Sequence, residues 1–154
     1  MKQKDKELLL KDLCARLPYG VKASVYSYWN EEYLDDSIVG VDIEEDEFFC
    51  SIVPGVRCPI IKTKPYLFPM SSMTDEQKEE YYSLADDVTI KPGQGYYFGI
   101  KIHCIKLGIS DNPHEGLWDW IDLDAIDWLN KNHFDYRGLI EKGLAIDATG
   151  LNIY

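Results

Sequence analysis

Four consecutive acidic residues separate two short apolar stretches in the first third of this chain: Glu44, Glu45, Asp46 and Glu47. Four adjacent carboxylates are too costly to bury together, so this link must lie at the surface. The stretches on either side, Ser37–Ile43 and Phe48–Val53, contain β-branched and aromatic side chains that favour strands. The sequence therefore predicts that the two stretches pair as a hairpin with an exposed acidic tip.

The acidic link belongs to a wider charge asymmetry. The net charge of the chain is −11, yet residues 1–30 carry a local charge of +3. Residues 31–47 carry nine acidic and no basic side chains, and residues 111–127 carry six acidic and no basic ones. Such fields repel phosphate backbones and attract basic surfaces. We therefore expect no direct binding of nucleic acid, and a protein partner with a basic surface.

Length and composition predict one folded domain, residues 1–154. Hydrophobic residues make up 45% and aromatic residues 13% of the chain, enough to build a core at this length. No stretch approaches the roughly 18 consecutive apolar residues that a membrane span requires. The N-terminal residues lead into an amphipathic segment and lack the apolar stretch of a signal peptide. We expect a cytoplasmic protein that does not bind membranes, with Cys14, Cys50, Cys58 and Cys104 reduced.

Helical and alternating patterns predict further elements. Apolar residues at helical spacing predict a first helix over residues 4–17, which Pro18 and Gly20 terminate. Alternation after Val21 predicts a strand. Thr74 and Gln77 have the spacing of a capping box, which predicts a helix over Asp75–Leu84.

The second half of the chain gives weaker local signals. Alternation predicts a strand over Tyr96–Leu107, and a shared apolar face predicts a helix that includes Ile121, Ala125, Trp128 and Leu129. Leu139, Ile140 and Leu144 suggest a short second helix. Between these halves, Pro59, Pro65 and Pro69 exclude a helix and allow at most a short edge strand around Ile60–Lys62.

No pattern in the sequence predicts a metal site or a cofactor. Structural zinc sites bring their ligands in close pairs, whereas Cys50 and Cys58 are too far apart for that spacing. The alternating residues Asp42, Glu44 and Asp46 fail as a calcium loop, because Glu47 stands where an EF-hand needs glycine. Nucleotide-binding and hydrolase motifs are also missing.

A polar cluster near the end of the chain offers an alternative site: His133, Asp135, Tyr136 and Arg137. The first three side-chain types can transfer protons, and arginine can bind an anion. The competing interpretation is an interhelical turn, in which Asp135 caps the next helix and Arg137 pairs locally.

Three stretches resemble an uncharacterised family of proteins encoded in phages, prophages and mobile elements of gut bacteria. They are Glu7–Lys22 (ELLLKDLCARLPYGVK), Lys64–Gln77 (KPYLFPMSSMTDEQ) and Asp127–Tyr154 (DWLNKNHFDYRGLIEKGLAIDATGLNIY). The resemblance implies an α+β architecture with an N-terminal helix, a small curved antiparallel sheet and C-terminal helices. An SH3-like barrel is one form such a sheet could take. The resemblance implies no activity, cofactor or catalytic residue.

Three functions follow as hypotheses. The first is a non-enzymatic acidic protein-interaction module of a phage or mobile element that binds through Glu44, Glu45, Asp46 and Glu47. In one version of this hypothesis, its acidic surface imitates nucleic acid and inhibits a host factor. The second is a small enzyme that uses the cluster at residues 133–137, and the third is a homo-oligomeric structural component. The sequence does not determine the oligomeric state.

Overall fold

The computed structural model of the chain describes residues 1–28, 31–42, 44–51, 57–84 and 123–154. The described residues form an α+β fold, as the sequence predicted. Their helices are α1 (Gln3–Arg16), α2 (Asp75–Leu84) and α3 (Leu123–Lys131). Their strands are β1 (Lys22–Ser27), β2 (Glu32–Asp42), β3 (Glu47–Cys50), β4 (Arg57–Pro59), β5 (Thr63–Leu67) and β6 (Ile146–Asp147). The strand predicted over Tyr96–Leu107 lies outside the described residues.

Helix α1 packs one apolar face into the core, which confirms the first predicted helix. Leu9 and Leu13 lie four residues apart on that face and are fully buried. The helix runs into a short 3-10 turn, Leu17–Tyr19, that contains Pro18. Gly20 then reverses the chain with φ of +69°, a left-handed conformation that glycine adopts without strain.

The six described strands form one sheet in the order β4-β3-β2-β1-β5-β6. All neighbours are antiparallel except β5 and β6. The predicted hairpin is confirmed as β2 and β3, although β2 begins earlier than predicted, at Glu32. Within the described residues the sheet is open, with β4 and β6 at its two edges, so it does not have the barrel form.

Strand β5 corrects the prediction for the proline-rich segment. Ile60–Lys62 is a 3-10 turn, and the strand that follows lies inside the sheet between β1 and β6. Pro65 is tolerated there because β6 pairs only with Tyr66 and Leu67. No ladder hydrogen bond from residue 65 is therefore required on that side.

The C-terminal segment folds partly as predicted. Helix α3 buries Ala125, Trp128 and Leu129, which confirms the predicted helix face at these three positions. The fourth predicted position, Ile121, lies outside the described residues. The short helix predicted around residues 139–144 is wrong, because these residues form turns. Gly138 and Gly143 adopt φ of +70° and +69°, which breaks any helix between them.

Two hydrophobic clusters form the core of the described residues. The first lies between α1 and the sheet and includes Leu9, Leu13, Val25, Ile38 and Phe48. The second is formed by α2, α3 and the turn after α3, and includes Met73, Tyr81, Trp128, Phe134 and Tyr136. Burying one such side chain contributes about 1.5–3 kcal/mol. The acidic hairpin tip lies beyond the end of β2, outside both clusters.

Candidate interaction surface

The tip of the β2–β3 hairpin presents the predicted acidic residues. Glu44 and Glu45 are exposed, whereas Asp46 and Glu47 are half-buried. The turn is tight, because Asp46 adopts φ of +58° and the Glu45 N–H donates to Asp42 Oδ1 (3.2 Å). Aspartate tolerates this left-handed conformation better than most residues.

Two basic side chains contact the flanks of the tip. Lys6 on α1 forms an ion pair with Asp46. The Arg57 guanidinium on β4 lies 3.4 Å from Asp42 Oδ2 and 3.4 Å from Glu47 Oε2. Among the described residues, no cation contacts Glu44 or Glu45. The free negative charge of the tip is therefore concentrated on these two side chains.

A patch of tyrosines lies at the opposite end of β2 from the acidic tip. Tyr26 and Tyr33 face each other across β1 and β2, with ring centroids 5.2 Å apart, and Tyr28 packs on Tyr26 at the same distance. Tyr28 and Tyr33 remain 58% and 59% exposed. The Lys62 ammonium lies 3.8 Å from the Tyr26 ring centroid. The Tyr26 ring of this patch therefore makes a cation–π contact with Lys62.

The alternative polar cluster is brought together, but most of its members have structural partners. The Asp135 carboxylate accepts hydrogen bonds from the N–H groups of Leu139 and Ile140, both at 2.8 Å. The Tyr136 hydroxyl donates to Asn130 Oδ1 (3.0 Å) and accepts from Arg137 Nη2 (2.8 Å). Arg137 Nε also lies 3.2 Å from Asp12 Oδ1. Asp135 therefore caps a turn, and Arg137 connects that turn to α1.

His133 is the member of this cluster that borders a cavity. The cavity measures about 430 Å³ and is open to solvent, and Phe68, Lys131 and Tyr154 also line it. The His133 ring stacks on Tyr154 with centroids 3.9 Å apart. Within the described residues, His133 Nδ1 has no hydrogen-bond partner. Burial, together with the nearby charge of Arg16, lowers the pKa of His133 to about 4, so its imidazole is neutral at physiological pH.

The sequence patterns did not reveal the residues that contact the acidic tip or those that contact the polar cluster at residues 133–137. Lys6 lies 40 positions before Asp46, and Asp12 lies far from Arg137 along the chain. Neither pair has a local signal. The described residues contain no group of three His, Cys, Asp or Glu side chains placed to hold a metal ion. The acidic residues 111–122 lie outside the described part of the chain.

Comparison with known proteins adds no family assignment. No protein-family model, curated protein or solved structure matches this chain. The described helices include none long and apolar enough to cross a lipid bilayer.

Proposed function

We propose that this chain is a non-enzymatic protein-interaction module that binds a basic protein surface through its acidic hairpin tip. The exposed pair Glu44 and Glu45 carries the proposal. Asp46 contacts Lys6, and Glu47 contacts Arg57, so these two ion pairs hold the tip in place. The carboxylates of Glu44 and Glu45 stay available for a partner. Carboxylates in such a position steer basic partners and set the salt dependence of binding.

The tyrosine patch and the resemblance to phage and mobile-element proteins support the same proposal. Exposed tyrosines are common at protein interfaces, because a rigid ring buries much area at low entropic cost. The charge of the tip favours a basic partner, and the resemblance favours a host protein in that role. A cytoplasmic location is part of the same proposal. A host DNA-binding protein is the partner expected if the acidic surface imitates nucleic acid.

The small-enzyme alternative has less support. Asp135, Tyr136 and Arg137 use their polar atoms in contacts that hold the C-terminal turn to α3 and α1. Of the four cluster residues, His133 alone is among the described residues that line the cavity. Within the described residues, no acid or hydroxyl group is hydrogen-bonded to His133 Nδ1, so the cavity shows no aligned pair of catalytic groups.

A pull-down with matched charge variants tests the proposal. The tagged chain is incubated with host lysate at low and at high salt, and captured proteins are identified by mass spectrometry. The variant Glu44→Lys/Glu45→Lys reverses the tip. The control Glu79→Lys/Glu80→Lys makes the same change in net charge on the exposed face of α2. We expect a basic partner that wild type and control retain at low salt and release at high salt, and that the tip variant does not bind.

Two results would overturn the proposal. One is equal capture by the tip variant and the control, and the other is the absence of any specific partner at either salt.

Competition with duplex DNA then tests the nucleic-acid mimic. DNA that displaces the partner supports the mimic, whereas a partner insensitive to DNA excludes it. Light scattering of the purified chain measures its molar mass in solution. This distinguishes an interaction module, with or without mimicry of nucleic acid, from a homo-oligomeric structural component.

A further inference from the structure

Two cysteines meet at one edge of the sheet. Strand β4 is an edge strand, and its register on β3 places Cys58 opposite Phe48. Cys50 lies two residues after Phe48, so its side chain lies on the same face of the sheet and is the diagonal neighbour of Cys58. Both side chains are buried, and the two Sγ atoms are 2.8 Å apart.

This juxtaposition is close to what a disulfide bond requires. A disulfide has an S–S length of about 2.05 Å, so the two sulfur atoms need to approach by less than about 1 Å. Both thiols already lie on paired strands, which fixes their relative position before any bond forms. Cys14, the other described thiol, lies on α1 and is free.

The two thiols also differ in acidity. The hydrogen bond between the two thiols lowers the pKa of Cys58 and raises the pKa of Cys50. Cys58 is therefore the thiol that ionises first, and a thiolate is the form that reacts with oxidants. Its strand has only three residues and pairs on one side within the described sheet, so local opening of this edge admits a small oxidant.

We propose that Cys50 and Cys58 form a redox site, closed by hydrogen peroxide into an intramolecular disulfide and reopened by a dithiol. The Cys58 thiolate attacks one peroxide oxygen, the O–O bond breaks, and Cys58 becomes a sulfenic acid. The released hydroxide takes up a proton to form water. The sulfur of Cys50 then attacks the sulfur of Cys58, the S–O bond breaks, and a second water leaves with the thiol proton. Two thiols and one peroxide give one disulfide and two waters, and the two electrons pass from sulfur to peroxide.

The cross-link has a structural consequence for the neighbouring surface. It ties β4 to β3, and β4 carries Arg57, the cation that contacts Asp42 and Glu47 beside the acidic tip. Oxidation therefore fixes one of the two basic residues at the flanks of the tip. The redox site itself does not depend on the proposed interaction function.

Mass spectrometry of the oxidised chain tests this proposal directly. The reduced protein is treated with hydrogen peroxide, its remaining thiols are alkylated, and its peptides are mapped. We expect a loss of about 2 Da from the intact mass and a single cross-linked peptide pair joining Cys50 to Cys58. Dithiothreitol should restore the original mass. Because this readout needs no substitution, it stands even if a cysteine variant folds poorly.

Two variants make the assignment specific. Cys14→Ser/Cys104→Ser leaves Cys50 and Cys58 as the remaining thiols of the four in the chain, and it should lose the same mass. Adding Cys58→Ser to this variant should abolish the loss of mass on oxidation. We also expect the cross-link to raise the Tm by roughly 5–10 °C, because it restricts a short loop in the unfolded chain. A disulfide-linked dimer, or oxygen added to cysteine without a cross-link between residues 50 and 58, would overturn the proposal.

Discussion

His133 combines three unusual properties at one residue. It is almost fully buried, its backbone has φ of +57°, and its ring stacks on Tyr154. Its carbonyl accepts a hydrogen bond from the Phe68 N–H (2.9 Å), which ties this turn to the end of β5. Protonating the imidazole would place a charge in this buried stack, close to the positive charge of Arg16.

The buried imidazole makes stability depend on pH. The pKa of His133 falls from the ordinary 6.5 to about 4 on folding, so between these values the unfolded chain binds more protons than the native one. Its contribution is fully present above about pH 6.5 and is lost as the pH falls toward 4. When the pH is lowered from about 7 to 5, we expect the free energy of unfolding of wild type to fall by about 2 kcal/mol more than that of His133→Asn.

Urea unfolding at each pH measures this difference. Asparagine tolerates the left-handed backbone of residue 133 and does not titrate, so the variant keeps the turn while removing the proton site. The carboxylates titrate alike in both proteins and cancel in the comparison. Parallel pH profiles for wild type and variant would contradict the prediction.

At the scale of elements, local signals decided what the sequence could predict. Helix α1, the β2–β3 hairpin and α2 each have a local sequence pattern within a few residues, and all three were predicted. Strand β5 was missed because Pro65 argues against a strand, and only the short length of β6 makes it acceptable. The contact between Cys50 and Cys58 depends on the pairing of β3 with β4, which neither strand reveals alone. Likewise, the acidic tip was visible in the sequence, but its partners Lys6 and Arg57 were not.

The capping box of α2 is a local signal whose strength can be measured. The Gln77 N–H donates to Thr74 Oγ1 (3.2 Å), and the Thr74 N–H donates to Gln77 Oε1 (2.9 Å). Thr74→Ala removes the side-chain acceptor and should cost about 1 kcal/mol, which lowers the Tm by about 2–4 °C. Thr74→Ser keeps the hydroxyl and should stay close to wild type in the same thermal melt. Equal losses for alanine and serine would show that the cap does not stabilise the helix.

At the scale of the whole molecule, one buried charge network joins distant parts of the chain. Asp12 and Arg16 are both fully buried on α1, with Arg16 Nε 2.8 Å from Asp12 Oδ2. Arg16 also donates to the carbonyl of Phe134 (2.8 Å). Because Phe134 belongs to the second hydrophobic cluster, this arginine connects the two clusters of the core.

Removing this arginine should be costly. Arg16→Met keeps a long side chain but removes its charge, so the buried Asp12 carboxylate has one cation fewer beside it. We therefore expect the free energy of unfolding to fall by about 3–5 kcal/mol. The same substitution at the surface, Arg57→Met, should cost less than about 1 kcal/mol, because the Arg57 side chain is 48% exposed. Urea unfolding of both variants provides the comparison. A loss at residue 16 no larger than that at residue 57 would mean that the network adds nothing beyond a surface ion pair.

The bond from Arg16 to Phe134 spans 118 positions of the chain, and this separation bears on how the protein is made. A ribosome adds residues one at a time from the N-terminus, so α1 is synthesised long before the turn that completes its buried contacts. Until residues 129–137 have emerged, the carbonyl partners of Arg16 and the second cation of Asp12 are missing, and both charges stay hydrated. The buried polar contacts of the first helix are therefore completed only after residue 137 has been made.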